Sequence, residues 1–265
     1  MADRKDRYIS AMDAIFDTLP LTLAFFAAFA AFTAGLVKGA VGFGMPMIMI
    51  SFLSFFIAPD LSLAILIMPT LVTNLVQALR QGLGAAIAGI RKFRVFLIVG
   101  FVFLVSTAQI VTRVSDTTLF LFIGSAITFF AVFQLSGWVP DIKRTAKFDA
   151  GVGAFAGAVG GISGTWGPPT VAYLTAVNTP KAEQIRLQGV IYGLGSIALL
   201  AAHMRSGVIT AQTLPLSAVM VIPAMIGVTI GYRWQTRISQ AMFRKVTLIV
   251  LVFGGLNLLR RGFFG

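Results

Sequence analysis

The chain has 265 residues, of which 57% are hydrophobic and only 11% charged, with a mean hydropathy of +0.91. A soluble domain of this length carries about 25% charged residues, so the composition excludes a soluble globular protein and specifies an integral membrane protein. Charge is one-sided, 21 Lys and Arg against nine Asp and Glu for a net +12, and cysteine is absent, which excludes disulfides and thiolate chemistry.

Residues 1–18 form an N-terminal segment of mixed charge without a small-residue cleavage site, so they do not read as a removable signal peptide. Apolar segments follow near 19–37, 45–57, 61–79, 95–111, 117–134, 151–162, 170–177, 187–203, 211–232 and 246–259. A full span needs roughly 17–25 residues. The pairs at 19–37 with 45–57 and at 151–162 with 170–177 are too short or too broken to cross comfortably. The polar stretch GWVPDIKRTAKFD divides the chain. The sequence therefore predicts an all-α polytopic membrane protein: a first membrane repeat over 19–136, a cytoplasmic linker over 137–149 and a second repeat over 150–265. Each repeat holds a broken or re-entrant helical hairpin plus three transmembrane helices.

Basic residues gather between the spans: Arg80, Arg91, Lys92 and Arg94 in a loop at 80–94, then Lys143, Arg144 and Lys147 in the linker. Arg233, Arg237, Arg244 and Lys245 follow in a loop at 232–245. All three can be cytoplasmic if the N-terminus lies outside, although Arg260 and Arg261 run against the rule. No basic face exists apart from these loops, so the charge speaks for topology and not for nucleic acid. An odd number of crossings per half inverts the second half relative to the first, an inverted repeat of the kind secondary transporters use.

Two breaker motifs echo each other. GLVKGAVGFGMP occupies residues 35–46 and GAVGGISGTWGPP residues 157–169, so that Gly35, Val37, Gly39, Gly42 and Pro46 fall on Gly157, Val159, Gly161, Gly164 and Pro168. Backbone leaves helical geometry at membrane depth only where protein or a water-filled cavity satisfies its polar groups. Paired breaks of this kind point to a transporter's central binding site.

In the first motif the candidate substrate-binding residues are Lys38, Gly39, Gly42, Phe43, Gly44 and Pro46. A helix restarting at Pro46 aims its free N–H groups and positive dipole end at the turn, which suits an anion. For the glycines a second reading stands beside this one, because Gly35 and Gly39 have the spacing of a helix-packing surface. Lys38 is the basic residue embedded between apolar runs. A charge at that depth costs about 2.5 kcal/mol or more and usually faces a cavity and a partner. No acid is near in sequence, so its partner is either a bound anion or, if the side chain snorkels, interfacial water.

The second motif offers Ser163, Gly164, Thr165, Trp166, Gly167 and Pro168. The hydroxyls and the indole N–H are donors for an oxyanion, while Trp166 alternatively reads as an interfacial anchor. Gln188 and Tyr192 share a helix face four residues apart, as pathway lining or as interhelical hydrogen-bonding residues, and Asn74 and Gln77 fall in the second class. Arg80, Arg186 and His203 lie at span ends as possible cavity-mouth residues. One histidine and no cysteine provide no metal cluster, no cofactor motif is present, and no GxxxxGK[ST] loop provides a nucleotide motor. None of the nine acids lies within an apolar segment, so a carboxylate proton relay or cation site is not expected.

The runs GLVKGAVGFGMPMIMI and GGISGTWGPPTVAYL, with Lys181 and Arg186 downstream, are similar to the sulfite exporter TauE/SafE family, also called the toluene sulfonate uptake permease family. The two-half architecture extends the resemblance across nearly the whole chain. Phe43 and Met45 around Gly44 depart from the family's more common double-glycine form. The resemblance implies transport of sulfite or organosulfonates at the inner membrane. The resulting expectation is a secondary exporter of small sulfur-containing anions whose site forms where the two motifs meet. An anion channel or an uptake permease for other organic anions is the alternative, and a membrane-embedded enzyme a remote one. Its partners are the small anion and the lipid bilayer, with oligomeric state left open.

Overall fold

The structure, a computed structural model, describes residues 21–53, 59–108, 116–137, 142–163, 167–205 and 208–264. Among these the regular elements are all helical: α1 (Leu21–Val41), α2 (Met45–Leu53), α3 (Pro59–Leu79), α4 (Leu83–Lys92), α5 (Arg94–Ala108), α6 (Asp116–Leu135), α7 (Ala146–Ser163), α8 (Gly167–Ala176), α9 (Lys181–Arg205), α10 (Thr213–Val219), α11 (Val221–Arg237) and α12 (Gln240–Phe264). Five stretches of helix among the described residues are long and apolar enough to cross a membrane: Leu21–Val41, Leu61–Leu79, Lys181–Ala201, Thr213–Arg237 and Gln240–Phe264. The protein is a multi-pass, all-helical membrane protein.

Helix boundaries recur with the spacing of the two motifs. α1 ends at Val41 and α7 at Ser163, α2 starts at Met45 and α8 at Gly167, and α3 starts at Pro59 and α9 at Lys181. Each pair is 122 residues apart, the separation also of Asn74 and Ser196. Downstream the order continues in parallel, since α4 passes into α5 at Phe93 as α10 passes into α11 at Met220.

Contacts divide the chain into two compact units, and each unit draws on both sequence halves. One comprises Met1–Gln77 and Tyr192–Arg237, the other Ala78–Ile191 and Ile238–Gly265. In the first unit α1 lies along α11 with glycines on both sides of the seam. A Cβ at Gly35 would sit 2.2 Å from the Ala224 carbonyl oxygen, and one at Gly39 2.3 Å from that of Val228. Only hydrogen at these positions permits so close a backbone approach. Gly227 and Gly231 do the same for Phe32 and Leu36. α2 folds back on α1, burying Met45, Met49 and Leu53 at helical spacing. Within α3, Pro69 has no N–H for the Ile65 carbonyl one turn before it. The Ser217 hydroxyl of α10 fills that place, donating to Ile65 O at 3.1 Å and accepting from Met68 N–H at 3.1 Å.

In the second unit α5 packs along α7 through Gly100, Gly153 and Gly157, and α6 along α12 through Gly124 and Gly255. The Tyr173 ring of α8 stacks on Phe96 at 4.8 Å and meets Phe93 edge-on at 6.2 Å. Its hydroxyl donates to Asp149 Oδ1 at 2.5 Å.

Three features correct the sequence reading. First, the polar stretch is helical at its end, because α7 begins at Ala146 and carries Asp149 into its first turn. That carboxylate is buried at 4% exposure. It accepts from Arg144 Nη2 at 2.6 Å and Arg144 Nε at 3.0 Å, beside the helix's positive end. Burial works against the Arg144 charge, but its hydrogen bond and proximity to Asp149 outweigh this and hold its pKa above the ordinary arginine value. Asp149 lies outside the apolar segments in sequence and is nevertheless buried, as a closed pair and not as an open relay. Second, the loop expected at 80–94 contains α4, which buries Ala86 and Gly89 on one face. Third, the loop expected at 232–245 shrinks to Ile238 and Ser239 between α11 and α12. Arginine and lysine are good helix formers, so Arg233, Arg237, Arg244 and Lys245 extend the helices as flanking turns.

Candidate functional site

The break in the first motif is local. α1 runs through Gly35, Lys38 and Gly39 as regular helix and stops at Val41, where the Gly42 N–H still donates to Lys38 O at 2.6 Å. Gly42 and Gly44 then adopt φ of 89° and 92°, values that L side chains rarely take. Between them Phe43 is buried. α2 starts one residue later, with Pro46 in its first turn and Ile48 N–H returning to Gly44 O at 3.0 Å. The two readings of the glycines thus divide by position. Gly35 and Gly39 serve helix packing against α11, and Gly42 and Gly44 make the turn.

Lys38 lies in the last turn of α1 and is 1% exposed. It does not snorkel. Its ammonium donates to Asn74 Oδ1 on α3. The Asn74 amide in turn donates to Ser196 Oγ at 2.7 Å, and that hydroxyl donates to the Tyr192 carbonyl at 2.7 Å. A neighbouring amide, Gln77 Nε2, holds the Gly42 carbonyl at the turn at 2.9 Å. Lys38, Asn74, Gln77 and Ser196 are all at or below 4% exposure. The result is one chain of polar groups at the helix break, ending in a buried lysine amine whose hydrogen-bond partner is a neutral amide.

Of the sequence-named residues, the first unit brings together Lys38, Gly42, Phe43, Gly44, Pro46 and, through Ser196, the backbone of Tyr192. The Tyr192 side chain is itself buried. Asn74 and Gln77, which read in sequence as interhelical hydrogen-bonding residues, do bond between helices, to Lys38 and to the carbonyl of the broken turn. Ser196 was missed. One signal was available: Asn74 and Ser196 stand 122 residues apart, the spacing of the two motifs, and bond to each other.

In the second unit, Gly167 and Pro168 open α8, with Pro168 and Pro169 buried in its first turn. There the missing N–H groups cost nothing. Ser163 is the last residue of α7, and its side chain falls outside the described set. Gly164, Thr165 and Trp166 lie outside the described residues. Gln188 is fully buried in α9. Of the expected mouth residues, Arg186 is half-buried and its guanidinium donates to Gln81 Oε1. Arg80 is exposed at the end of α3 and its following turn, and His203 is half-buried near the end of α9.

Among the described residues no group of three or more His, Asp or Glu is arranged to hold a metal ion. The chemistry within reach of this arrangement is non-covalent: one cation, amide and hydroxyl donors, and the start of a helix.

A family model described as Sulfite exporter TauE/SafE matches residues 27–258. No curated protein and no solved structure matches the chain.

Proposed function

Because the chain belongs to the sulfite exporter TauE/SafE family, a family of membrane transporters, we propose that it is a secondary transporter moving small sulfur-containing anions, sulfite or organosulfonates, outward across the cytoplasmic membrane. The observation that carries this reading is Lys38, a buried ammonium at a helix break whose hydrogen-bond partner is the neutral Asn74.

A charge at membrane depth is costly and demands a counter-charge. Asn74 gives the lysine amine one neutral acceptor and no counter-charge, so an entering oxyanion can supply the charge that holds Lys38 protonated and pair with it by displacing one amide. Charge-assisted hydrogen bonds of this type are the strong ones. Gly42 and Gly44 keep side chains away from the turn, and α2 directs its positive end toward the same break. The second motif, on its equivalence to the first, is proposed to add neutral donors: the hydroxyls of Ser163 and Thr165, the Trp166 indole N–H and the first N–H groups of α8. The matching helix boundaries and the Asn74–Ser196 bond support two repeats of common architecture. An inverted arrangement, with a re-entrant hairpin in each repeat and one pathway shared by both motifs, completes the proposal.

The buried Asp149 is closed by Arg144 and Tyr173 and so does not stand ready for proton or cation coupling. An anion leaving an inside-negative cell is driven by the potential alone, at about 2.3 kcal/mol per charge per 100 mV, a gradient of about 50-fold. The test is efflux of sulfite, isethionate and sulfoacetate from vesicles with the potential set and then clamped at zero. Saturable efflux whose end-point ratio collapses under the clamp supports the reading. Ratios indifferent to the clamp would sink potential-driven export, and equal transport of matched carboxylates would sink the sulfur assignment. Efflux that never saturates favours a channel.

A further inference from the structure

The second unit contains a recess with apolar walls and a set of polar side chains, which holds neither motif nor Lys38. It has a volume of about 530 Å³ and opens where α6 ends, α12 begins and the turn after α8 passes Asn178. That size is ordinary for a small-molecule site. Its lining includes Gln134, Asn178, Gln184, Gln240, Arg244 and Lys245, and among the described residues no lining residue is acidic. Two of these side chains, Arg244 and Lys245, are basic.

Arg244 is held in place without being neutralised. Its Nη1 donates to Asn178 Oδ1 at 2.9 Å and its Nη2 to Gln134 Oε1 at 2.6 Å. Asn178 presents its amide from a left-handed backbone at φ 50°, a conformation asparagine tolerates better than most residues. The second observation is Gln134 itself. It is 4% exposed, and while its Oε1 is taken by Arg244, its Nε2 donor has no hydrogen-bond partner. Rotating the amide would set N–H against N–H of the guanidinium, so the orientation is forced by the pairing. A buried donor left unpaired costs about 1–3 kcal/mol, a cost removed when a small shift of the side chain turns it to an acceptor in the recess.

We propose that this recess is a binding site for a small oxyanion group, a sulfonate, sulfate or phosphate, gripped by Arg244 and Lys245 and accepting a hydrogen bond from Gln134 Nε2. Arginine's planar fork suits such groups, and the two amides that brace it leave its charge available to the ligand. The shared chemistry has two sources, a soluble oxyanion or the phosphate of an anionic lipid. The site stands independently of the role assigned to Lys38.

The test uses the full chain in discs of phosphatidylcholine, carrying Lys38→Met so that the first site does not contribute, with inorganic sulfate and ethanesulfonate as probes in calorimetric titrations. Saturable binding is expected, weakened about 10–100-fold by Arg244→Gln, as loss of a charge-assisted hydrogen bond predicts. Because Arg244→Gln also disturbs its two amide partners, Gln134→Leu and the exposed Lys245→Gln serve as second variants, each weakening binding several-fold with thermal unfolding unchanged. Repeating the titration in discs rich in phosphatidylglycerol separates the sources. Sulfate binding suppressed there assigns the recess to lipid phosphate, and binding unaffected assigns it to the soluble ion. Absence of saturable binding in phosphatidylcholine, or binding indifferent to Gln134→Leu and Lys245→Gln, overturns the proposal.

Discussion

Replacing Lys38 with Met separates the binding role of this residue from any role in holding the fold. Methionine matches the length of the lysine stem and keeps the helix propensity of α1. Two opposing terms decide its stability. The substitution removes a buried charge, which at the centre of a membrane helix is unfavourable by about 2.5–3.5 kcal/mol. It also strips Asn74 Oδ1 of its donor at 1% exposure, a loss of about 1–3 kcal/mol. The terms nearly cancel, with the balance toward the variant, so Lys38→Met folds and unfolds thermally at or above the wild-type temperature. Transport behaves differently. An oxyanion at this site loses a charge-assisted hydrogen bond of about 1.5–3 kcal/mol, so efflux at subsaturating substrate falls about 10–150-fold. The assay is initial-rate efflux from vesicles at fixed potential, beside thermal unfolding of the same preparation. Wild-type efflux from a stable Lys38→Met protein would refute the reasoning, because the ammonium would then be a structural residue. A protein that unfolds many degrees lower would refute the stability argument.

Asn74→Leu leaves the Lys38 ammonium buried without an acceptor and destabilises by about 2–3 kcal/mol. Adding Lys38→Met restores much of that loss, so the double-mutant cycle in thermal unfolding shows strong coupling. Gly39→Ala drives a methyl against the Val228 carbonyl and destabilises by about 1–3 kcal/mol, whereas Gly84→Ala, with open space around it, is neutral or stabilising by about 0.5–1 kcal/mol. Gly44→Ala forces a side chain onto a φ of 92° at a cost of about 1–3 kcal/mol, and efflux falls with it if the turn shapes the pathway. Asp149→Asn, read by the same unfolding measurement, loses its ion pair with the partly exposed Arg144 and destabilises by about 2–3 kcal/mol.

Much of the architecture could be read in advance because it depends on what residues do to their own backbone. Composition alone specifies the membrane class. Glycine and proline act on the chain where they stand, so the break after Val41 and the helix starts at Met45 and Gly167 fall where the motifs indicated. Helix ends were less legible. Arg91, Lys92, Arg237 and Arg244 signal polar surroundings by their charge, but their helical propensity keeps them in α4, α11 and α12, and charge alone does not reveal this. Asp149 was assigned to a solvated linker, yet it is buried because Arg144, five residues away, and Tyr173, on another helix, close around it.

The candidate site divides the same way. The residue order places a lysine in an apolar run beside a helix break, without an acid nearby. Helix packing buries Lys38 and keeps it from snorkelling, gives it Asn74 and Ser196 as polar company, and assigns Gly35 and Gly39 to helix packing while Gly42 and Gly44 make the turn. It likewise decided that Arg244, read in sequence as a topology charge, braces a recess with Gln134 and Asn178. The physical reason is common to all four. A backbone break is a property of adjacent residues, whereas the partner of a buried charge and the contact face of a glycine are set by helices that approach from distant parts of the chain.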